Sequence, residues 1–208
     1  MTMVADPAER GLVFLVDDDA SIRSGIDSLL RSMQLDVRCF ASAAEFQNAP
    51  RPDRPACLVL DIRMPGRSGL EVQRDLGDAG DDIPVIFLTA HGDIPMSVRA
   101  MKGGAVEFLT KPVSDQDLLD AIHAALAIAR ERRAGAAAIG DLRARYQALT
   151  PREQEIMTKV LAGRLNKQIA VDLGVSEITI KVSRSQLMRK MRAGSLADLV
   201  RMGERLRT

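Results

Sequence analysis

The chain has 208 residues, of which 46% are hydrophobic and 27% are charged, and its net charge is +1 at pH 7. This length suits one large domain or two small ones with buried cores. No stretch approaches the roughly 18 apolar residues of a membrane span, and residues 1–10 contain no basic segment leading into an apolar one. We therefore expect neither a membrane span nor a targeting segment, and we predict a cytoplasmic protein.

The small net charge hides an asymmetry between the two halves of the chain. Residues 1–130 contain 13 basic and 20 acidic residues, a net charge of −7, whereas residues 131–208 contain 16 basic and 8 acidic residues, a net charge of +8. An acidic half followed by a basic half predicts two domains, the second with a polyanionic partner.

The two cysteines, Cys39 and Cys57, lie on predicted strands and do not have the spacing of metal ligands. We predict that both are buried, reduced thiols without a chemical role. A redox role is the alternative.

The acidic half opens with an apolar run that ends in acidic residues. Residues 12–16 are apolar, Asp17, Asp18 and Asp19 follow, and apolar side chains then recur at helical spacing as far as Met33. This pattern predicts a strand, an acidic loop and a helix. Asp19 suits the helix N-cap, where a carboxylate accepts backbone N–H groups, which leaves Asp17 and Asp18 at the end of the strand.

The same alternation recurs four more times along the acidic half. We predict further strands at residues 36–40, 57–60, 84–88 and 106–109, and helices at residues 42–48, 69–76 and 95–102 and from residue 114 onward. Five strands alternating with five helices predict a parallel sheet whose right-handed crossovers cover both faces.

Four of the predicted strands end at polar residues. Asp17 and Asp18 follow the first strand, Asp61 the third, Thr89 the fourth and Lys111 the fifth. The carboxyl ends of parallel strands share one edge of the sheet, where ligands bind in open α/β folds. We therefore predict that these side chains form one site.

The residue types at this edge indicate a chemistry. Three carboxylates repel one another unless a cation binds, and an all-oxygen set suits Mg²⁺. Lys111 and Thr89 can contact the oxygens of a phosphoryl group beside the metal. Asp61 can then act as a nucleophile that forms an acyl phosphate by in-line transfer.

Four segments carry these residues: Val16-Asp17-Asp18-Asp19, Leu60-Asp61-Ile62-Arg63-Met64-Pro65-Gly66, Leu88-Thr89-Ala90 and Phe108-Leu109-Thr110-Lys111-Pro112. Together they resemble the receiver domain of two-component response regulators, over about residues 10–130. The resemblance implies a flavodoxin-like, doubly wound five-stranded fold, with Asp61 as phosphoacceptor and a sensor histidine kinase as phosphodonor. It also implies Mg²⁺ held by Asp18, by Asp17 through water, by Asp61 and by the Arg63 backbone carbonyl, and a cis peptide at Lys111-Pro112.

The resemblance further assigns Thr89 and Phe108 as a switch pair. A shift of Thr89 toward the phosphoryl group would open a space that the ring of Phe108 can fill. The receiver pattern often has tyrosine at this position, so any hydroxyl-dependent step is absent, and a plain core role for Phe108 stays open. We expect His91 to be a loop residue beside the site and His123 to be a helix surface residue.

Residues 131–146 are predicted to form a helical linker with a weak point. Helix is favoured from Ser114 to Arg133, after which Gly135 and Gly140 loosen it before the helical pattern resumes at residue 141. Such a weak point would let the two halves reorient. A passive spacer is the open alternative.

The basic half begins with strong helix signals. Thr150, Pro151 and Glu153 suit the N-cap, first and third positions of a helix that ends at Gly163. Asn166 is expected to cap a second helix, and a turn at residues 174–176 leads into a third helix over residues 177–191. Two short helices joined by a glycine-containing turn predict a helix-turn-helix.

The third helix has an outer face suited to DNA. Lys181 and Ser185, four residues apart, can reach base edges in a major groove, and Val182 beside them suits a thymine methyl group. The residues predicted to contact phosphates are Lys167, Thr179, Arg184, Arg189 and Lys190. A basic solvated face that does not bind DNA is the alternative.

Three segments, Leu149-Thr150-Pro151-Arg152-Glu153, Asn166-Lys167-Gln168-Ile169-Ala170 and Thr179-Ile180-Lys181-Val182, are similar to the LuxR-type helix-turn-helix. The similarity covers about residues 147–206 and implies an all-α domain of four helices at residues 147–208. Ser183 stands where the pattern usually has histidine, so no histidine role carries over. The fourth helix, residues 195–206, has an apolar stripe that can pair two copies or pack onto its own domain: Leu196, Leu199, Val200 and Leu206.

A receiver followed by this module places the chain with FixJ-like or NarL-like response regulators. We predict a transcription factor in which phosphorylation of Asp61 switches homodimerisation and binding to promoter DNA, with RNA polymerase as a further partner. The alternative is a receiver that does not switch and is regulated by partner docking. We predict no enzyme, because an aspartate-nucleophile phosphohydrolase normally needs a second acid two residues after the nucleophile, where Arg63 stands.

Overall fold

The computed structural model describes residues 11–90 and 93–207. His91, predicted to lie in a loop beside the site, is outside the described residues, as are residues 1–10. The chain divides between Arg133 and Ala134 into two compact units, and each unit is described by itself.

The first unit is built on a five-stranded parallel sheet with the strand order β2-β1-β3-β4-β5. The strands are β1 (Leu12–Val16), β2 (Asp36–Phe40), β3 (Ala56–Asp61), β4 (Val85–Thr89) and β5 (Glu107–Thr110). The helices are α1 (Ala20–Ser32), α2 (Ala43–Gln47), α3 (Gly69–Asp78), α4 (Ile94–Lys102) and α5 (Asp115–Gln147), the last of which continues into the second unit. The predicted parallel sheet with alternating helices is confirmed.

The strands bury side chains on both faces of the sheet. Leu12, Phe14 and Val16 of β1 pack into a core with α2, α3 and α4, and the alternate residues Val13 and Leu15 pack into a core with α1 and α5. Successive side chains of a strand point to opposite faces. A sheet covered on both sides therefore requires the near-continuous apolar runs that the sequence contains.

Polar side chains fix the starts of two helices of this unit as predicted. Asp19 Oδ1 accepts the backbone N–H groups of Ser21 and Ile22 at the start of α1, and Ser42 Oγ accepts that of Glu45 at the start of α2. An N-cap of this kind satisfies backbone donors that have no partner within the helix and contributes about 1 kcal/mol.

The two cysteines differ in burial. Cys57 in β3 is buried, and burial raises the pKa of its thiol to about 12. Cys39 in β2 is exposed, so the prediction that both thiols are buried is wrong for this residue. The reason is that β2 lies at the edge of the sheet, where fewer neighbouring elements cover a strand.

His123 of α5 is exposed, as predicted.

Helix α5 runs without interruption from Asp115 to Gln147, so the predicted loosening at residues 135–140 is wrong as a description of the backbone. None of residues 130–141 is buried. A β-carbon added to Gly135 or Gly140 would meet nothing within 4 Å, so packing does not require glycine at either position. Each glycine costs about 1 kcal/mol relative to alanine in a helix interior. Alanine, the best helix former, occupies four of the neighbouring positions and offsets this cost.

The second unit contains α6 (Pro151–Leu161), α7 (Asn166–Leu173), α8 (Glu177–Met191) and α9 (Leu196–Arg207). Its core also includes Leu142 of α5 and Leu149, so part of the predicted linker contributes to this core. Gly174, with a φ of 63°, ends α7 in a left-handed conformation and turns the chain toward α8. This is the predicted helix-turn-helix. No described helix in either unit is long and apolar enough to cross a membrane.

The start of α7 differs from the prediction. Asn166 is the first residue of the helix and does not cap it. Gln168 Oε1 instead accepts the N–H of Leu165 at 2.9 Å. The Asn166 side chain is engaged elsewhere, because its Oδ1 accepts a hydrogen bond from Arg184 of α8 at 2.7 Å.

The apolar stripe of α9 packs in part onto its own unit. Leu199 is fully buried and Leu206 is partly buried in the core of the second unit. Leu196 is 47% exposed. Packing within the unit, one of the two uses predicted for the stripe, therefore accounts for Leu199 and Leu206.

Candidate functional site

The polar residues predicted to meet at one edge of the sheet lie there together. β3 runs between β1 and β4, so Asp61, its last residue, is at the centre of this edge. Asp17 follows β1, Thr89 ends β4 and Lys111 follows β5. The carboxyl ends of four parallel strands thus bring side chains from distant parts of the chain to one place.

Lys111 joins two buried carboxylates. Its Nζ donates hydrogen bonds to Asp17 Oδ2 and to Asp61 Oδ2, each at 2.6 Å. The side chain of Asp17 is fully buried, that of Asp61 is 9% exposed and that of Lys111 is 12% exposed. Burial opposes the charge on Lys111, but the hydrogen bonds to Asp17 and Asp61 outweigh it and raise the pKa of the lysine. Lys111 is therefore a cation at neutral pH.

Asp18 completes a group of three carboxylates. One oxygen each of Asp17, Asp18 and Asp61 lie within 4.8 Å of one another, and Asp18 is the exposed member. Three carboxylates and the Lys111 ammonium leave a net charge of −2 among these four groups, which one divalent cation would balance. Oxygen donors of this kind suit a hard cation such as Mg²⁺, so the acidic group can hold one.

The loop between β3 and α3 brings backbone groups to Asp61. Asp61 Oδ1 accepts the N–H of Arg63 at 3.0 Å. Helix α3 begins so close to β3 that a β-carbon on Gly69 would lie 2.5 Å from the Asp61 backbone oxygen. Gly66 has a φ of 85°, which favours glycine. The glycines of this segment therefore allow the tight turn that orients Asp61.

Arg23 also belongs to this site, although its sequence position did not lead us to predict it. Its guanidinium NH1 donates to the Asp17 backbone oxygen at 2.6 Å, and the N–H of Asp19 donates to Asp17 Oδ1 at 2.9 Å. These contacts fix the peptide that carries Asp17 and Asp18. The available signal was spacing, because a residue four positions after the Asp19 cap lies one turn along the helix, above the acidic loop.

The predicted switch pair lies on neighbouring strands. Thr89 is fully buried at the end of β4, and its backbone oxygen accepts the N–H of Lys111 at 2.8 Å. Phe108 of β5 is half-buried, lies opposite Phe87 and packs against the core that α2, α3 and α4 cover. The Lys111-Pro112 peptide bond is cis, as the resemblance implied.

In the second unit, the predicted base-contacting residues share one exposed face of α8. Lys181, Val182 and Ser185 are all exposed, Val182 by 52%. We call this surface the reading face. Four of the five residues predicted to contact phosphates are also exposed: Lys167, Thr179, Arg189 and Lys190.

Two of the five predicted phosphate contacts, Arg184 and Lys190, bond within the unit. The guanidinium NH1 of Arg184 donates to Asn166 Oδ1 at 2.7 Å, and Lys190 Nζ donates to Glu153 Oε2 at 2.7 Å. These contacts join α8 to α7 and to α6. Both side chains therefore have a structural role that the basic composition did not indicate.

Glu153 is the buried centre of the contact between α6 and α8. Its Oε2 accepts from the N–H of Thr150 at 2.8 Å, from Thr150 Oγ1 at 3.0 Å and from Lys190 Nζ at 2.7 Å. The hydrogen bond from Lys190 has the largest effect, and against the effect of burial it holds the pKa of Glu153 below its ordinary value near 4.5. Because α8 carries the reading face, this pair orients that face on the rest of the unit.

Two family models match the chain over these two sites. The model of the response regulator receiver domain matches residues 13–123, and that of the luxR family of bacterial regulatory proteins matches residues 147–203. The first match contains the acidic group and Lys111, and the second contains the reading face. The chain is thus a receiver domain followed by a LuxR-type DNA-binding domain.

Similar proteins match over nearly the whole chain. Nodulation protein W of Bradyrhizobium diazoefficiens is 50% identical over 201 residues, which cover 97% of this chain and 88% of that protein. Transcriptional regulatory protein FixJ of Rhizobium meliloti is 42% identical over 190 residues, covering 91% and 93%. The solved structure of response regulator StyR superimposes with a TM-score of 0.82 at 48% identity, covering 94% and 98%. The chain therefore belongs to the FixJ-like response regulators, transcription factors controlled by phosphorylation.

Replacing Arg23 by methionine tests whether its contact with the Asp17 carbonyl positions the acidic loop. Loss of positioning would weaken Mg²⁺ binding about tenfold, as for groups that orient metal ligands. Loss of a positive charge alone would instead strengthen binding, because a cation would meet less repulsion. Titration calorimetry of the full chain with Mg²⁺ gives the dissociation constant and separates the two outcomes.

The matched control for this experiment is Arg31→Met. Arg31 is on the same helix and also donates to a backbone oxygen, that of Val37 at 3.3 Å, but it does not contact the acidic loop. We expect unchanged Mg²⁺ affinity in this variant. Unchanged or tighter Mg²⁺ binding in Arg23→Met would contradict the positioning role.

Glu153→Gln tests the contact between α6 and α8 through its pH dependence. A carboxyl whose pKa is lowered on folding stabilises the folded state above its unfolded pKa, and this stabilisation is lost as pH falls through the folded pKa. We expect the variant to be about 2 kcal/mol less stable at pH 7, since it loses a charge-assisted hydrogen bond. The difference in the free energy of unfolding between the variant and the wild type should shrink as pH falls from above 4.5 to below 4.5.

The second unit can be followed on its own in this measurement. The chain has one tyrosine and no tryptophan, and Tyr146 packs against the core of the second unit, so tyrosine fluorescence during urea unfolding reports on that unit. Glu155→Gln is the control, because Glu155 forms an exposed ion pair with Arg152 in the same helix. A stability difference for Glu153→Gln that stays constant with pH would refute the assignment of Glu153 as a charged partner of Lys190.

Proposed function

We propose that Asp61 is the residue that accepts the phosphoryl group in this response regulator. The observation that carries the proposal is the buried contact of Lys111 with Asp17 and Asp61, each at 2.6 Å. Asp61 ends the central strand and has its second oxygen on the N–H of Arg63. Its carboxylate therefore has one defined orientation at the edge of the sheet where ligands bind.

In the proposed step, a carboxylate oxygen of Asp61 bonds to phosphorus while the bond from phosphorus to the donor breaks in line. A phosphohistidine of a sensor histidine kinase is the donor that suits a receiver domain. The imidazole nitrogen leaves with the electron pair of the broken bond and takes up a proton. The product is an acyl phosphate on Asp61, beside the ammonium of Lys111, which opposes the negative charge on the transferred group.

The acidic group fits Mg²⁺ by its donor atoms and by its charge. We propose Asp17, Asp18, Asp61 and the backbone carbonyl of Arg63 as the residues that hold it. When bound, Mg²⁺ would neutralise phosphoryl oxygens and help to orient the phosphodonor. Lys111 alone leaves two of the three carboxylates without a compensating charge, which supports the need for a cation.

Thr89 and Phe108 are proposed to carry the change in state to the surface of the first unit. Thr89 is fully buried at the same edge of the sheet as Asp61. Phe108 is half-buried on the adjacent strand, so its ring has part of its surface outside the packed core. A shift of the Thr89 hydroxyl toward a phosphoryl group would make room for the ring of Phe108 to move inward.

The reading face is proposed to contact base edges in a major groove. Its exposure supports this assignment, as does that of the proposed phosphate contacts Lys167, Thr179 and Arg189. Arg184 and Lys190 bond within the unit, yet arginine has five donors and lysine has three. Both can therefore contact a phosphate while they keep their bonds to Asn166 and Glu153.

The phosphorylated protein is proposed to form a homodimer on promoter DNA, because two copies of a helix-turn-helix can read two half-sites. RNA polymerase is the proposed partner of the DNA-bound form. We place the protein in the cytoplasm, where DNA and the kinase domain of a sensor are both accessible. A sustained phosphatase activity is not proposed, because Arg63 occupies the position where phosphohydrolases with an aspartate nucleophile have a second acid.

Intact-mass measurement after incubation with Mg²⁺ and acetyl phosphate tests Asp61 as the phosphoacceptor. We expect the wild type to gain the mass of one phosphoryl group and Asp61→Asn to gain none. Asp19→Asn is the matched control, because it changes a neighbouring acid to an amide that also caps helices well. This variant should be phosphorylated like the wild type.

A folded wild-type protein that binds Mg²⁺ but gains no phosphoryl group would contradict the proposal. Regulation by partner docking would then be the better account. An adduct that persists in Asp61→Asn would assign the phosphoacceptor to another residue.

A further inference from the structure

Ile178 is an exposed apolar residue in the first turn of α8. Ser176 caps this helix, so Ile178 is its second residue, and 76% of its surface is exposed. It has no part in the core of the second unit, which takes Ile180, Leu187 and Met191 from this helix. Packing therefore does not explain an isoleucine at this position.

Helix geometry places Ile178 within the reading face. At about 100° per residue, Ile178 lies about 40° from Val182, on the side where Ser185 lies at about 60° and Lys181 at about 100°. Ile178 is thus between Val182 and Lys181 when the helix is viewed along its axis. Ile180 lies on roughly the opposite side of the helix, at about 160° from Val182, where the core is.

Ile178 and Val182 form an apolar pair on an otherwise polar surface. Residues four apart on a helix are neighbours, with β-carbons about 5–6 Å apart. Both are exposed, and the unit that carries them belongs to a family of DNA-binding proteins. The apolar group that a base edge presents in the major groove is the 5-methyl of thymine.

We infer that Ile178 is a specificity-determining residue that contacts the methyl group of a thymine. The inference rests on the proposed DNA contact of the reading face and adds a position to it. The first residues of a recognition helix lie nearest to the bases in helix-turn-helix proteins, and Ile178 is in that turn. Val182 would contact a second thymine one turn further along the helix.

Removal of single methyl groups from the DNA tests this contact directly. The probe is a duplex selected from a random pool by the full chain, together with versions in which one thymine at a time is replaced by uracil, which lacks the methyl group. Affinity is measured by fluorescence anisotropy for the wild type, Ile178→Ala and Ile178→Val. Ile178 is exposed, alanine is the best helix former and valine is close to isoleucine in helix propensity. Neither substitution should therefore impair folding, and tyrosine fluorescence checks that it does not.

We expect one thymine at which uracil weakens wild-type binding about fourfold, the factor for one buried methyl group. Ile178→Ala should bind the thymine duplex about fourfold more weakly and show no further loss with uracil at that position. Ile178→Val should keep most of the discrimination. Val171→Ala is the matched control, because Val171 is 77% exposed on α7 and lies outside the reading face. It should bind like the wild type.

Two further variants separate failure of this inference from failure of the proposed function. Lys181→Ala should lose affinity for the selected duplex more than for random DNA, whereas Lys167→Ala should lose affinity for both. Suppose that these two variants behave as stated. If Ile178→Ala then binds like the wild type, or if uracil lowers its affinity equally at every position, Ile178 does not read a thymine. If the wild type selects no sequence and Lys181→Ala has no effect, the proposed DNA contact fails and the inference fails with it.

Discussion

The buried contact of Lys111 with Asp17 and Asp61 is the constraint on which the first unit depends. An uncompensated buried charge costs several kcal/mol, and the ammonium at 2.6 Å from both carboxylates compensates part of that cost. The contact requires three strands to end at the same edge of the sheet with the right side chains. Because the compensation is incomplete once Asp18 is included, the remaining negative charge favours the binding of a divalent cation.

Much of this site could be predicted because strand ends are local features of the sequence. An apolar run followed by Asp17, or by Asp61, specifies both the strand and the position of the acid. Contacts between distant helices could not be predicted in this way. Lys190 meets Glu153 across 37 residues, and that contact depends on how two helices pack, which no local pattern specifies. Arg23 is an intermediate case for prediction. Its spacing from the Asp19 cap is visible in the sequence, but its acceptor is the backbone oxygen of Asp17, which no side-chain pattern indicates.

Two of the wrong predictions, at Asn166 and at the glycines of α5, concern local tendencies that other residues override. Asn166 favours a cap, but its amide binds Arg184 of α8. The two glycines at residues 135 and 140 weaken a helix, but the alanines between and beside them sustain it. The outcome is a helical stretch without buried side chains at residues 130–141. It connects an acidic unit suited to a cation and a phosphoryl group with a basic unit suited to DNA.

Phosphorylation of the first unit is proposed to change DNA binding by the second. The most direct test measures affinity for one selected duplex, by anisotropy at fixed salt, for the wild type before and after phosphorylation and for Asp61→Asn treated in the same way. We predict at least tenfold tighter binding on phosphorylation, within the usual range of allosteric coupling, and no change in Asp61→Asn. Equal affinity of the unmodified and the fully phosphorylated wild type would contradict this coupling between the two units.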